Sequence, residues 1–473
     1  MAWLVAIIGS VAGFLFGYDE GIIAGSLDLV KNHFSLTHTH VGIMTSALPF
    51  GALFGSMFIG ALIASRFTKY IGRRTTLSYA GFFFLLGAGG AALANTETIL
   101  IASRFILGLA IGIAAVTTPL YLAETAPMKL RGAIVAIYQL AITLGIVCAY
   151  GVNYLLIEQQ AWRAMFASSA IPALILTIGI LFLPESPRWL CSVGKHDLAL
   201  RSLKRLRGGK SIDQELNDIE ETLAKEPHNG KNWRLLFRRP LLPVLLLGVI
   251  LFCLQQLSGI NVIIYYAPEI FKNLGFTNTT GQILATMGIG VVNVLVTILA
   301  IFWVDKIGRR KLLLVGFAGT FISLTALSLF SLFQVSALAY LSVLCLTVYI
   351  FSFAISLGPI PHIAMAEIFP LHVRGAGMGL SSMSNWGFNT LMVFSFPILY
   401  NQIGIEYTFL MYGVICFLGF IYSYYWMPET KNISLEAIET YLMNNKPLRY
   451  LGRNHEVNTF DTTVKRAELS PTL

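Results

Sequence analysis

The chain has 473 residues, of which 56% are hydrophobic and only 12% are charged, and its formal net charge at pH 7 is +9. A soluble globular protein carries about 25% charged residues, so lipid must cover much of a surface this apolar. The positive charges lie in short clusters between apolar runs. That placement is typical of loops beside a membrane and excludes nucleic acid as the expected partner.

Apolar runs long enough to cross a bilayer occur twelve times, since about 20 such residues span the hydrocarbon. We therefore predict an all-α membrane protein with a lipid bilayer around it. The predicted spans cover residues 3–25, 41–64, 76–94, 98–121, 132–156, 164–183, 241–266, 281–304, 311–333, 337–358, 376–400 and 405–427. The polar stretch 184–240 alternates apolar and charged residues, which predicts a linker of short amphipathic helices. Residues 428–473 form a polar C-terminal tail.

Loop charge predicts the orientation of these spans. The loops after spans 2 and 8 are basic, with Arg66, Lys69, Arg73 and Arg74 in one and Lys306, Arg309, Arg310 and Lys311 in the other. Loops after odd-numbered spans are nearly free of Lys and Arg. Because basic loops stay on the cytoplasmic side, both termini, the linker and the tail are predicted to be cytoplasmic, as in a multi-pass protein of the cell membrane.

Three short motifs of the first half recur in the second half at similar offsets. Glu124 and Arg131 recur as Glu367 and Arg374, Gly72-Arg73-Arg74 as Gly308-Arg309-Arg310, and Pro184-Glu185 as Pro428-Glu429. The order and register indicate a duplication, which predicts two pseudo-symmetric six-helix halves, 1–183 and 241–427. Transporters built from parallel repeats bind their substrate between the halves, near the middle of the bilayer.

Asp19 is an acidic residue inside the first apolar run, and Arg104 is a basic residue inside the fourth. An ionisable residue at membrane depth is costly and indicates a functional site. Helix rise places Asp19 roughly 24 Å from the inner end of its span, at a depth similar to that of Arg104. Burial favours the neutral acid and a nearby guanidinium favours the carboxylate, so we predict a proton-coupling pair.

Several amides also lie within apolar spans, where they can pair with the hydroxyls of a sugar by donating and accepting. Aromatic rings nearby can stack on the sugar ring. The substrate-binding residues predicted on these grounds are Phe16, Gln139, Gln255, Gln256, Asn261, Tyr265, Asn293, Asn385 and Trp386. Gln255 and Gln256 are followed by Ser258-Gly259, where a helix can loosen.

Acidic and basic residues at the inner helix ends are predicted to form an inner gate, with ion pairs that join the two halves and break when the inner mouth opens. The gate residues are Glu124, Arg131, Glu185, Arg188, Asp305, Arg309, Glu367 and Arg374.

Six motifs together resemble the sugar porters of the major facilitator superfamily, over nearly the whole chain. They are Arg104-Phe-Ile-Leu-Gly108, Pro184-Glu-Ser-Pro-Arg188, Gln255-Gln-Leu-Ser-Gly-Ile-Asn261, Asp305-Lys-Ile-Gly-Arg-Arg310, Gly358-Pro-Ile-Pro361 and Asn385-Trp386. The resemblance implies the major facilitator fold. It also implies that Asp19 carries the coupled proton and that Gln139, Gln255, Gln256, Asn261, Asn293 and Asn385 bind sugar.

Two positions depart from the pattern of that family. Lys69 stands where the family often has Asp, which weakens the expected charge clamp in the first loop. His362 stands where the family usually has Trp, so the resemblance implies that His362 is a substrate-binding residue, and we expect this change to alter sugar preference.

The sequence therefore predicts a proton-coupled symporter for a monosaccharide, an aldohexose or a pentose, that works by alternating access as a monomer. The alternatives are a sugar uniporter of the same fold or a polyol transporter. A channel is disfavoured by the duplicated gate motifs, and an enzyme by the lack of a catalytic cluster. Neither a cofactor nor a metal is expected.

Overall fold

The computed structural model describes residues 1–64, 71–127, 130–208, 212–225, 233–370, 373–433, 435–444 and 446–452. Over these ranges the chain is helical and forms no strand. The helices are α1 Ala2–Phe34, α2 His38–Ala64, α3 Arg73–Ala92, α4 Glu97–Thr125, α5 Arg131–Leu156, α6 Trp162–Ser168, α7 Ala170–Leu181, α8 Pro187–Ser192, α9 His196–Arg207, α10 Ile212–Lys225, α11 Leu242–Leu257, α12 Ile260–Asn273, α13 Thr279–Ile307, α14 Arg309–Leu332, α15 Leu338–Ser352, α16 Ile360–Ile368, α17 Arg374–Trp426 and α18 Leu435–Met443.

Eleven helical segments of the described chain are long and apolar enough to cross a membrane. One of them, α17, has 53 residues and bends at Gly404, whose φ of 84° is not helical. A straight helix of that length would extend for roughly 80 Å, more than twice the hydrocarbon thickness, so α17 supplies two spans. Twelve membrane-spanning segments result, which confirms the predicted fold class.

The spans form two bundles of six, with α1 packed on α5 and α2 on α4 in the first, and α14 and α11 packed on α17 in the second. Three helix pairs join the bundles: α2 with α17, α5 with α13, and α1 with α12. We call the end of the bundle that holds Met1 the proximal end. The end where α1 stops and α2 begins is the distal end.

Short helices follow the sixth span at the proximal end. Among them, α9 and α10 are joined by an ion pair between Arg207 and Glu215 at 2.7 Å. The same guanidinium donates to the carbonyl of Thr125 at 2.8 Å, at the end of α4. Arg207 therefore fastens the linker to the first bundle.

Glycines at every fourth position of α1 let this helix approach α5 closely. Gly13, Gly17, Gly21 and Gly25 all face α5. A Cβ built at Gly17 would lie 1.8 Å from the carbonyl oxygen of Ile142, which no side chain tolerates without a backbone shift. Small residues at this spacing are the usual way in which membrane helices pack backbone to backbone. They hold Asp19 and its neighbours on α1 in a set position.

We expect Gly17→Ala to destabilise the protein by about 1–3 kcal/mol, because overpacking forces the helix backbones apart. Thermal unfolding in detergent measures the change. Gly151→Ala, on α5, is the matched control, since no atom lies within 4 Å of the added methyl group. Equal melting temperatures for the two variants would contradict the close-packing argument.

Candidate functional site

The seventh span is broken between α11 and α12. Gly259 has a φ of 92°, in the left-handed region that favours glycine, and it ends the regular hydrogen bonding after Ser258. The hydroxyl of Tyr349 on α15 donates to the carbonyl of Ser258 at 3.0 Å, which satisfies a backbone group that the break leaves open. The break places Asn261 in the first turn of α12, beside the end of α11.

The tenth span is broken too, by the wide turn Phe353–Leu357 and the prolines at 359 and 361. Proline has no amide hydrogen, so carbonyls one turn earlier lose their helical donors. Gln255 replaces the donor that Pro361 cannot supply: its Nε2 donates to the carbonyl of Leu357 at 2.7 Å, and it also lies 3.2 Å from the carbonyl of Gly358, to which it donates. One side chain thus joins the two broken spans.

Four of the predicted sugar-binding amides form one hydrogen-bonded network. Gln256 Nε2 donates to Asn385 Oδ1 at 2.7 Å, and Asn385 Nδ2 donates to Gln255 Oε1 at 3.3 Å. Asn261 Nδ2 donates to Gln256 Oε1 at 2.7 Å. The network brings three helices together, α11, α12 and α17, and it gathers donors and acceptors at the two helix breaks.

Aromatic side chains lie beside this network. Trp386 follows Asn385 on α17, and its ring centroid lies 5.4 Å from that of Phe16 on α1, across the boundary between the two bundles. His362 on α16 is exposed, and its Nδ1 lies 3.4 Å from the carbonyl of Gly358, which also accepts from Gln255. The structure therefore places Phe16, Trp386 and His362 around the amides; that they contact a sugar stays a prediction.

Three predicted sugar ligands lie apart from the network. Gln139 on α5 is exposed and Asn293 on α13 is partly exposed, and neither makes a hydrogen bond to another described residue. Their amides remain available on the helices that join the bundles at α5 and α13. Tyr265 is fully buried and faces charged residues instead of the amides.

Asp19 and Arg104 are both buried, with exposed fractions of 1% and 0%. Arg104 is the cation that lies close enough to attract the Asp19 carboxylate electrostatically. The two groups nevertheless form no ion pair: Asp19 Oδ2 and both terminal nitrogens of Arg104 lack a hydrogen-bond partner in the described chain. Only Arg104 Nε is paired, with the carbonyl of Met44 at 3.0 Å. The acid and the guanidinium lie near each other but are separated.

Glu20 is a second buried carboxylate, 3% exposed, which the sequence analysis missed. Its signal was the same as that of Asp19, an acidic residue inside an apolar run. The hydroxyl of Tyr265 on α12 faces Glu20, so the acidic pair on α1 borders the second bundle.

Several contacts join the two bundles toward the distal end. Tyr150 donates its hydroxyl hydrogen to the carbonyl of Ile264 at 3.0 Å, and the hydroxyls of Thr45 and Tyr266 lie 2.6 Å apart. Two ion pairs follow nearer the surface, Asp28 with Lys272 at 3.3 Å and Lys31 with Glu269 at 3.9 Å. The α1–α12 boundary is closed at this end.

At the proximal end the repeated motifs build the same cluster twice, once in each bundle. In the first, Arg73 donates to both oxygens of Glu124 at 3.1 and 3.2 Å, and Ser186 donates to Glu124 at 2.5 Å. Glu185 accepts from the backbone of Arg74 at 3.0 Å.

The second cluster repeats this arrangement. Arg309 donates to Glu367 at 2.6 and 3.2 Å, and Thr430 donates to the same carboxylate at 2.5 Å. Glu429 accepts from the backbone amides of Arg309 and Arg310 at 3.0 and 3.2 Å.

These contacts differ from the predicted gate, in which ion pairs join the halves. The pairs of Glu124, Glu367 and Asp305 each lie within one bundle, because the residues that the repeat brings together belong to the same half. Arg374 donates to the carbonyl of Phe369 at 3.0 Å, also within its own half. Arg188 lies on α8. The side chain of Arg131, like Arg66 and Lys69, falls outside the described residues.

The fold and the buried polar groups together define a multi-pass membrane transporter. A profile described as "Sugar (and other) transporter" matches residues 5–442, and the chain belongs to this family. It is 43% identical over 439 residues to YwtG of Bacillus subtilis (strain 168), with 92% of this chain and 94% of that one covered. It is 39% identical over 461 residues to the arabinose-proton symporter of Escherichia coli (strain K12), with 96% of each chain covered.

Solved structures of the xylose transporter XylE from E. coli share the fold. The inward open conformation of XylE has a TM-score of 0.80 at 28% identity, covering 93% of this chain and 100% of that one. The structure of XylE, a major facilitator superfamily proton:xylose symporter, bound to 6-bromo-6-deoxy-D-glucose has a TM-score of 0.77 at 30% identity, covering 93% of this chain and 99% of that one.

Glu429→Gln is expected to destabilise the second bundle by about 1–3 kcal/mol, because a neutral amide cannot accept from the three backbone amides that the carboxylate binds. These are the amides of Arg309, Arg310 and Lys431. Thermal unfolding in detergent measures the loss.

Asp305→Asn is the matched control for that measurement. Its side chain is 79% exposed and makes one ion pair with Arg309, so it contributes little to stability. A melting temperature for Glu429→Gln as high as that of Asp305→Asn would show that the cluster does not stabilise the bundle.

Proposed function

We propose that the protein is a proton-coupled monosaccharide symporter that works by alternating access. The observation that carries the proposal is the buried Asp19, separated from Arg104, in the bundle that faces the amide network. An unpaired carboxylate in a dry site is costly as an anion and acceptable as a neutral acid. Such a group binds a proton whenever its bundle closes around it. The relationship to the arabinose-proton symporter supports the same reading.

We propose the amide network as the sugar site, which occupies the boundary between the halves. In this structure the amides of Gln255, Gln256, Asn261 and Asn385 bond to one another. A sugar hydroxyl donates and accepts, so it can replace one amide in such a pair without leaving the other unsatisfied. Phe16 and Trp386 offer ring faces for the apolar side of the sugar. Gln139 and Asn293 would complete the site from α5 and α13.

The two bundles support the domain boundaries that we propose. We propose halves at 1–183 and 241–427, a linker at 184–240 and a tail at 428–473. The proximal end carries the Arg73 and Arg309 clusters, so the positive-inside rule makes it cytoplasmic, with both termini there and the distal end outside the cell. The contacts between the bundles at the distal end, which include those of Tyr150 and Lys272, then close the external side. A monomer contains all of these parts.

Coupling follows from the charge balance around Asp19. When its carboxylate is ionised, Arg104 is the partner within reach, and the attraction opposes any movement that separates α1 from α4. Protonation removes that attraction and allows the halves to rearrange around the sugar. Release of the proton on the cytoplasmic side restores the charge pair and favours return of the empty carrier.

The Arg73 cluster and the Arg309 cluster at the proximal end make each half rigid in this scheme. Because Arg73 and Arg309 bind acidic residues of their own bundles, each half can rotate as a unit. Cross-half pairing of the gate residues in the outward-facing state stays a prediction, as does the altered sugar preference conferred by His362.

Asp19→Asn is expected to abolish uphill sugar accumulation while preserving sugar exchange, because the amide mimics the protonated acid permanently. Uptake of labelled sugars into proteoliposomes, with and without an imposed proton gradient, measures both. Arabinose, xylose, galactose and glucose, with a polyol such as sorbitol, make a suitable panel. Accumulation by Asp19→Asn that still responds to the proton gradient would refute the role. Wild-type uptake that ignores the gradient would favour the uniporter.

Gln256→Ala is expected to weaken sugar binding by roughly 1–3 kcal/mol, or about 5- to 150-fold in Kd, because Asn261 and Asn385 both lose a partner. Calorimetry on the purified protein measures the affinity. Gln282→Ala is the matched control: this buried glutamine on α13 donates to the carbonyl of Phe276 near the distal end of its helix. If both variants bind sugar as tightly as the wild type, the network is not the sugar site.

A further inference from the structure

Glu20 is a buried carboxylate to which the coupling scheme assigns no role. Its side chain is 3% exposed, and it neighbours Asp19 on the same helix. Two acidic side chains in succession at membrane depth are costly, because each disfavours the charge on the other and the surroundings solvate neither. A position this unfavourable is retained only where the acid has a use or is held neutral.

The groups that face Glu20 provide no cation in the described chain. They are Asp19 on α1, Tyr150 on α5 and Tyr265 on α12. Arg104 of α4 acts on Asp19 and on Tyr265. Arg163, the ionisable residue of α6, donates to the carbonyl of Ala94, and α7 contains no ionisable residue. An ionised Glu20 would therefore face a second acid and two hydroxyl groups.

Two of these facing groups belong to the boundary that closes the distal end. Tyr150 donates to the carbonyl of Ile264, which directly precedes Tyr265. The hydroxyl of Tyr265 is fully buried and faces Glu20, and it forms no well-aligned hydrogen bond with any residue that the structure describes. Helix α12 thus covers Glu20 when the two bundles meet, and separating them at this end would expose Glu20 to water.

We propose that Glu20 is a second protonatable group, one that must be neutral for the distal end to close. This inference rests on the proposed function. With the distal end open, Glu20 is hydrated and can exist as the anion. As α12 approaches, the carboxylate takes a proton from water on the distal side, and the neutral acid is buried beside the Tyr265 hydroxyl. The proton returns to the same side on reopening, so Glu20 gates closure and adds nothing to the proton-to-sugar ratio.

Asp19→Asn provides the background for the test: under the proposed function this variant loses the coupling proton, and its exchange rate at pH 6 is measured first and serves as its own reference. Exchange of labelled sugar between equal concentrations is measured in proteoliposomes from pH 6 to pH 9. With Glu20 present, the exchange rate should fall at alkaline pH, approaching about tenfold for each pH unit. In Asp19→Asn/Glu20→Gln the rate should stay flat, because the amide is always neutral. Asp19→Asn/Glu20→Asp should restore the fall.

Exchange by Asp19→Asn that is already flat, or a fall that survives Glu20→Gln, would overturn the proposal. The second result would assign the titration to other groups, such as the exposed histidines near the distal end. Proton-driven accumulation by Asp19→Asn would instead refute the proposed function, so the two failures are distinct.

If a variant does not transport sugar, a distance measurement tests closure of the distal end directly. Spin labels at Thr37 and Thr277, exposed positions at the distal ends of the two halves, report closure. The native cysteines are replaced beforehand. The distal end of the Glu20→Gln protein should stay closed up to pH 9. In the protein that keeps Glu20, the distal end should open as the pH rises. Identical distance distributions at every pH would also overturn the proposal.

Discussion

The hydrocarbon core contains no water to satisfy a free backbone group, and the polar site of this protein depends on that constraint. Two spans are broken, at Gly259 and at Gly358, and each break leaves carbonyls that a side chain must satisfy. Tyr349 and Gln255 do so. Once Gln255 is held by the second break, its oxygen is oriented toward Asn385, and the rest of the network follows. The amides are therefore positioned by the need to complete the helices, before any substrate arrives.

The same constraint explains the glycine face of α1. Burying the carboxyl groups of Asp19 and Glu20 destabilises this helix. Close packing against α5, which only glycine permits at positions such as Gly17, stabilises it. The close approach also keeps both acids at fixed distances from the groups that act on them, Arg104 on one side and Tyr150 and Tyr265 on the other. A looser helix would hydrate the acids and weaken their dependence on closure.

The sequence predicts the twelve spans because lipid imposes a length and a composition on each of them. It also predicts most of the residues around the network, since polar groups in apolar runs are few and conspicuous. It could not predict that Tyr265 faces the acidic pair on α1 instead of the amide network, because the break at Gly259 sets the rotation of α12. Glu20 was missed because its neighbour Asp19 already accounted for an acid there. The partners of Arg309 were missed because sequence offsets relate the halves without showing which side of the boundary a side chain joins.

That last point bears on how the two halves move. Ion pairs across the boundary at the proximal end would have to break in each cycle, at a cost of desolvation and side-chain ordering. Pairs within a half persist, and the duplicated clusters around Glu124 and Glu367 are of that kind. The distal contacts are different: they join α1, α2 and α5 to α12 through two hydrogen bonds, one exposed ion pair and one partly buried ion pair, each of modest strength. Because the halves are stiff and the contacts at the distal end are weak, a small free energy is enough to change the balance between the open and closed states. The charge on one carboxylate buried beside these contacts is enough to shift that balance.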